Sequence, residues 1–267
     1  MSASIPAASS YPKSSKDLRG LLFPAVIVLI WALVSHLHWV NANLLPSPLA
    51  VIGTASGRIA TSEFWLSVAS SLARALAGYA VALTLGVTLG IVLGKSRTSN
   101  RLGAPLFNAF RQVAPFAWIP LISAWFGGGE ATKIVFIATV AFAPITLNTI
   151  EGVQAVAREQ VELGRVLELS RWRFLVGIAV PAALPRILTG AHLALITAWL
   201  ATVGAEFFLN ISPGVTMLLV EGRMLGEMDL VLFGIVIIGL IGFGLSAAFQ
   251  ATEQRLLRWR PARVQRT

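Results

Sequence analysis

The chain has 267 residues, of which 56% are hydrophobic and only 12% charged, with a mean hydropathy of +0.76. A soluble domain carries about 25% charged residues, so this composition excludes an ordinary soluble globule. The chain holds no cysteine, which removes disulfides, thiol nucleophiles and cysteine metal sites. A net charge of +9 would suit a nucleic-acid partner in a soluble protein, but the placement of the charges points elsewhere.

Residues 1–19 are rich in Ser, Ala and Pro and are expected to form a disordered cytoplasmic N-terminus. Six stretches free of Asp, Glu, Lys and Arg follow: Gly20–Val40, Ala75–Leu93, Gln112–Gly129, Ile134–Ile150, Ile187–Ala205 and Leu230–Thr252. Each has the roughly 17–25 residues that a helix needs to cross a ~30 Å hydrocarbon core. Pro115, Pro120 and Pro144 interrupt the third and fourth, where kinks rather than breaks are expected. The first stretch lacks a small-residue cleavage site and reads as a retained span.

Six crossings put both termini on one side. That side would carry Lys13, Lys16 and Arg19; Lys95, Arg97, Arg101 and Arg111; Arg158, Arg165, Arg171, Arg173 and Arg186; and the tail Arg255, Arg258, Arg260, Arg263 and Arg266. Only Arg58, Arg74, Lys133 and Arg223 of the 21 basic residues fall on the other. The positive-inside rule then places both ends in the cytoplasm. Residues 20–252 form the predicted transmembrane domain, residues 253–267 a basic tail. Orientation in lipid accounts for the basic excess, and no nucleic-acid partner is called for.

The outward segment Asn41–Ser71 opens with Leu45-Pro46-Ser47-Pro48, an extended exit from the first span. Leu49–Thr61 and Phe64–Ala73 read as short amphipathic helices at the interface, with Trp39 and Trp65 as anchors. This segment is either a docking surface or a connector. The second span places Gly78, Ala82, Gly86, Gly90 and Gly94 on one helix face, which lets another backbone approach closely. Gly190, Ala194, Ala198 and Thr202 draw a similar line on the fifth. Gly90 to Ser96 resembles a phosphate loop but has three residues between its glycines instead of four. No nucleotide site, cofactor or metal is expected in this chain.

Between the fourth and fifth spans lies Glu151–Arg186, the only sizeable insertion on the cytoplasmic side. A helix from Val156 to Glu168 is expected, with Leu163, Val166, Leu167 and Leu169 on its apolar side. Ser170 offers an N-cap for a second helix from Arg171, which Pro181 and Pro185 should break before the fifth span. Glu206 ends that span as either an intramembrane functional carboxylate or an interfacial partner of Lys133. Asn148, Thr197, Trp199, Thr202 and Glu206 are candidates to line a passage. His36, His38 and His192 have no carboxylate or cysteine cluster beside them, and no catalytic set is present, so an enzyme is not expected.

Glu162-Leu163-Gly164, then Glu168, then Ile178-Ala179-Val180-Pro181 resembles in spacing the Glu-Ala-Ala loop of ABC-importer permeases. Glu168 stands where that family has glycine, at a corner calling for a left-handed residue. Leu45-Pro46-Ser47-Pro48, Ser71-Leu72-Ala73-Arg74, Ile119-Pro120-Leu121, Trp125-Phe126-Gly127 and Pro181-Ala182-Ala183-Leu184-Pro185 are similar to the nitrate, sulfonate and taurine branch. The resemblance implies an all-α, polytopic membrane protein with six transmembrane helices and a cytoplasmic coupling-helix hairpin at residues 155–181. It implies that Glu162, Leu163, Gly164, Arg165, Val166, Leu167, Glu168, Leu169 and Ser170 meet a cytoplasmic ABC ATPase dimer, which binds the ATP. It further implies a second permease copy or close relative, a periplasmic or lipid-anchored solute-binding protein, and a small anionic solute. A self-sufficient secondary transporter would show inverted repeats and charged residues inside several spans; neither is found.

Overall fold

The computed structural model describes residues 19–37, 39–41, 44–155, 166–209 and 213–257. Among these the regular elements are all helical. They are α1 (Arg19–His36), α2 (Pro48–Ile59), α3 (Ser62–Lys95), α4 (Arg97–Gln112), α5 (Ile119–Phe126), α6 (Glu130–Gln154), α7 (Arg171–Phe174), α8 (Val180–Phe208), α9 (Met217–Leu225) and α10 (Met228–Leu256). Among the described residues four helical segments are long and apolar enough to cross a membrane: α3, α6, Trp172–Phe208 and α10. The apolar part of α1, Leu22–His36, is shorter. Leu22, Phe23, Leu29 and Leu33 of α1 are all exposed, which marks a lipid-facing helix.

The core is a three-helix layer with α6 between α3 and α8. Phe136, Ile137, Ala141 and Ile145 of α6 are fully buried there. The approach is set by small residues. A Cβ on Gly78 would lie 2.5 Å from Ile137 Cγ2, one on Gly94 2.8 Å from Val153 Cβ, and one on Gly190 2.5 Å from Asn148 Cβ. Side chains at those points would force the helices apart.

Beyond the core, Ser47 caps α2 by accepting from the Ala50 N–H, and the Trp31 indole donates to Pro46 O at 3.0 Å. Thr54 of α2 bonds Asp229, and Arg58 pairs with Glu221, fastening α2 to α10 and α9. Phe64–Ala73 is not a separate interfacial helix. It forms the early turns of α3, which Thr61 caps. No glycine or proline lies between Ser62 and Ala77, so propagation continues into the span.

The third predicted crossing also differs from expectation. α4 ends at Gln112, Val113 and Ala114 are extended (ψ 128° and 129°), and a 3-10 turn at Pro115–Trp118 leads into α5. This is a break, not a kink. Pro115 lacks an N–H, and its ring drives Ala114 out of the helical region. Pro120 fits the first turn of α5. Pro144, by contrast, is carried inside α6.

α3 ends with Gly94 against Val153, whereas α6 starts where Glu130 meets Arg74. Residues 96–129 therefore carry the chain along the length of the bundle. Ring contacts place the break within it. Phe107 and Phe110 meet Phe142 at 6.1 and 5.9 Å, and Phe116 meets Phe136 at 5.7 Å. Phe142 is the middle residue of α6. Arg111 adjoins Phe110, so it lies near mid-bundle rather than with Lys95 at the end where α3 stops.

Pro181 and Pro185 do not break the chain before the fifth span. α7 passes through a π-turn, Leu175–Ala179, directly into α8, with Pro181 in its first turn and Pro185 inside it. A π-turn adds a residue to the helical repeat immediately ahead of Pro181 and absorbs the local mismatch.

Candidate functional site

The insertion between α6 and α7 carries the predicted coupling residues. Glu162, Leu163, Gly164 and Arg165 lie outside the described residues. Val166, Leu167, Glu168, Leu169 and Ser170 lie within them. Val166 and Leu167 are well exposed, at 79% and 58%, so this apolar pair has no cover within the described chain. Glu168 has φ +46°, and it is the single non-glycine residue with positive φ among those described. A left-handed conformation costs an L-residue roughly 1–2 kcal/mol, and the chain bears that cost at the corner where the resemblance places a glycine. Ser170 then caps α7: its Oγ accepts from the Arg173 N–H at 3.3 Å, and its carbonyl accepts from the Phe174 N–H at 2.9 Å. The Arg186 guanidinium, 3.0 Å from Glu151, ties α8 to the end of α6 at the base of the insertion.

At the opposite end of the bundle, Glu206 enters a buried ionic cluster. Arg74 Nη1 donates to Glu206 Oε1 at 2.7 Å, and Ser71 Oγ donates to the same oxygen at 2.6 Å. Thr216 N–H reaches Oε2 at 3.3 Å. Arg74 also donates from Nε to Glu130 Oε2 at 2.5 Å, and from Nη2 to Glu130 Oε1 at 3.1 Å and Pro213 O at 2.9 Å. Lys133, fully buried, holds its ammonium 3.7 Å from Glu130. The close ion-pair partner of Glu206 is thus Arg74, and Lys133 lies beside Glu130. α3, α6, α8 and the Pro213–Thr216 segment meet at this one point. Sequence reading named Glu206 but missed Arg74 and Ser71, although both stand in the Ser71-Leu72-Ala73-Arg74 string already singled out.

The other path candidates do not converge. Asn148 donates to Pro144 O at 2.9 Å and packs against Gly190, between α6 and α8. Thr197 and Thr202 return their hydroxyls to Ala194 O and Ala198 O of their own helix. Trp199 is buried against α10, where its indole donates to Ile238 O at 3.1 Å. Gly78, Ala82, Gly86, Gly90 and Gly94 line the α3 face against α6, with Gly90 beside Thr149.

Comparison with known proteins decides what this bundle is. Residues 82–258 match the family described as binding-protein-dependent transport system inner membrane component. The chain belongs to this family.

The putative aliphatic sulfonates transport permease protein SsuC of Bacillus subtilis is 33% identical to this permease over 267 residues, covering 95% of this chain and 96% of that protein. The taurine transport system permease protein TauC of Escherichia coli is 32% identical, covering 88% and 87%. Among solved structures, the inward-facing MetNI methionine ABC transporter superposes with a TM-score of 0.59 at 16% identity, covering 71% of this permease and 95% of that chain. That likeness establishes the fold as an importer-permease bundle. It agrees with the resemblance read from the insertion's spacing.

Proposed function

We propose that this chain is the membrane-spanning subunit of an ATP-driven importer for a small anionic solute, such as a sulfonate, taurine or nitrate. It works as a dimer with a second copy or close relative. A cytoplasmic ABC ATPase dimer, which binds and hydrolyses the ATP, docks on the corner around Val166–Ser170, and both termini share that side. A periplasmic or lipid-anchored binding protein delivers solute to the far end. Inner-membrane relatives matching nearly the whole chain support this reading.

The observation that carries the coupling role is the uncovered corner itself. Val166 and Leu167 are exposed beside the left-handed Glu168, and capped α7 follows immediately. From there one continuous helical rod, Trp172–Phe208, ends at the Glu206 cluster. Its 37 residues span about 55 Å at 1.5 Å per residue. A displacement at the corner is thereby delivered to the α3–α6–α8 junction, and ATP-dependent docking biases the bundle between two conformations.

The test is co-purification with a co-expressed cytoplasmic ABC ATPase, followed by solute-stimulated ATP hydrolysis in proteoliposomes. Leu167→Asp, and Glu162→Ala or Leu163→Asp, should leave the chain inserted while abolishing stimulation. Undiminished stimulation in all three variants would remove the coupling role from this insertion.

A further inference from the structure

Arg111 has no structural role in the contacts described above. It is exposed, and no salt bridge or side-chain hydrogen bond holds it among the described residues. Yet it adjoins Phe110, whose ring meets Phe142 at the middle of α6. Glu151, near the cytoplasmic end of α6, is nine residues from Phe142, or about 13 Å along the helix axis. An arginine side chain snorkels by burying its stem while its head seeks water, but its reach of about 7 Å does not cover that rise.

Beside Arg111 the backbone itself is open. Val113 and Ala114 are extended, and residues 112–117 are all exposed. Non-helical backbone at membrane depth is stable only when buried in protein or lining a water-filled cavity. A charged side chain at that depth has the same requirement and marks a substrate or ion pathway. A second copy of the chain offers Arg111 no described acid to pair with. Glu63, Glu130, Glu206, Glu221, Glu227 and Asp229 belong to the far end of the bundle; Glu151, Glu168 and Glu253 belong to the end near the insertion.

We infer that the break between α4 and α5 lines the aqueous passage, and that the Arg111 guanidinium binds the anionic group of the solute as it crosses. The planar guanidinium matches an oxyanion, whether sulfonate, carboxylate or nitrate, through paired N–H donors. Phe116, against Phe136 and Phe208, supplies an apolar wall just beyond it. This passage runs along the broken crossing and not along Thr197, Trp199 and Thr202. The inference rests on the importer reading for the identity of the cargo.

The absence of cysteine makes the test direct. Ala114→Cys, with Val113→Cys as a second reporter, is placed in the full-length chain in right-side-out and inverted membrane vesicles. Labelling rates are then measured with the anionic sulfonatoethyl and cationic trimethylammonioethyl methanethiosulfonates. At least one reporter should react from one side, with the anionic reagent favoured. Adding Arg111→Gln should lower the anion-to-cation rate ratio about tenfold, the size Coulomb's law gives for a unit charge at an assumed separation of about 6 Å in water. Arg111→Lys should restore it.

Two unreactive reporters would place the break against lipid or protein and overturn the inference, as would a ratio indifferent to Arg111→Gln. If labelling fails while the ATPase still binds, only the passage falls. If the ATPase fails to bind while labelling behaves as expected, the passage stands and the coupling role falls.

Discussion

Arg74 on α3 and Glu206 on α8 meet at 2.7 Å with both side chains buried, so two helices separated by α6 across much of the layer are joined at one end. Breaking a buried pair strands a charge, at a cost of several kcal/mol. Glu206→Ala should therefore destabilise the detergent-solubilised chain by about 3 kcal/mol, measured by thermal unfolding. Combining it with Arg74→Leu should cost less than the sum of the single changes, because no unpaired partner is left in that pair. Strict additivity would mean that the two groups are not coupled.

Gly78 is a second point where one atom decides the packing. Its missing side chain leaves the space that Ile137 fills. Gly78→Ala should lower stability by about 1–3 kcal/mol through overpacking. Gly53 on α2 has nothing within 4 Å, so Gly53→Ala should be neutral or stabilising by about 0.5–1 kcal/mol. Melting temperatures of the two variants, measured side by side, check the contrast.

Glu168 offers the reverse experiment, a change that relieves strain. Glu168→Gly should steady the corner by about 1 kcal/mol, seen as slower hydrogen exchange at the Arg173 and Phe174 amides. Glu168→Val should speed exchange at both, because a β-branched residue tolerates positive φ poorly. Equal exchange in all three proteins would show that the corner does not keep φ near +46°.

Trp199 separates packing from transport. Its indole donates to Ile238 O, locking α8 to α10. Trp199→Phe should cost about 1 kcal/mol of stability and leave solute uptake per folded molecule unchanged. A loss of uptake without a loss of stability would return Trp199 to the passage.

Much of the bundle was legible in the chain. The apolar stretches that became α3, α6, α8 and α10 were visible because lipid demands long runs without charge, a strong one-dimensional signal. The small-residue lines on α3 and α8 were equally plain, since four-residue spacing stays on one helix face. The Ser170 cap was readable because capping is local, whereas the left-handed corner at Glu168 was expected only from the resemblance, which puts a glycine there. The third crossing was misread because absence of charge says nothing of continuity, and Pro115 did more than bend it. Glu206 was found without its partner for a related reason. Arg74 is 132 residues away in sequence, and no local pattern encodes a pairing of that range.

The sequence by itself determined a helical membrane protein with a polar insertion between its fourth and fifth apolar stretches, because hydrophobic length, small-residue period and cap chemistry act over a few residues. Only the tertiary structure decided which charges meet, where the third apolar stretch parts, and that Arg111 adjoins a ring packed at the middle of α6. Those depend on how helices lie against one another along their lengths, and that registry is set by interlocking side chains distant in the chain.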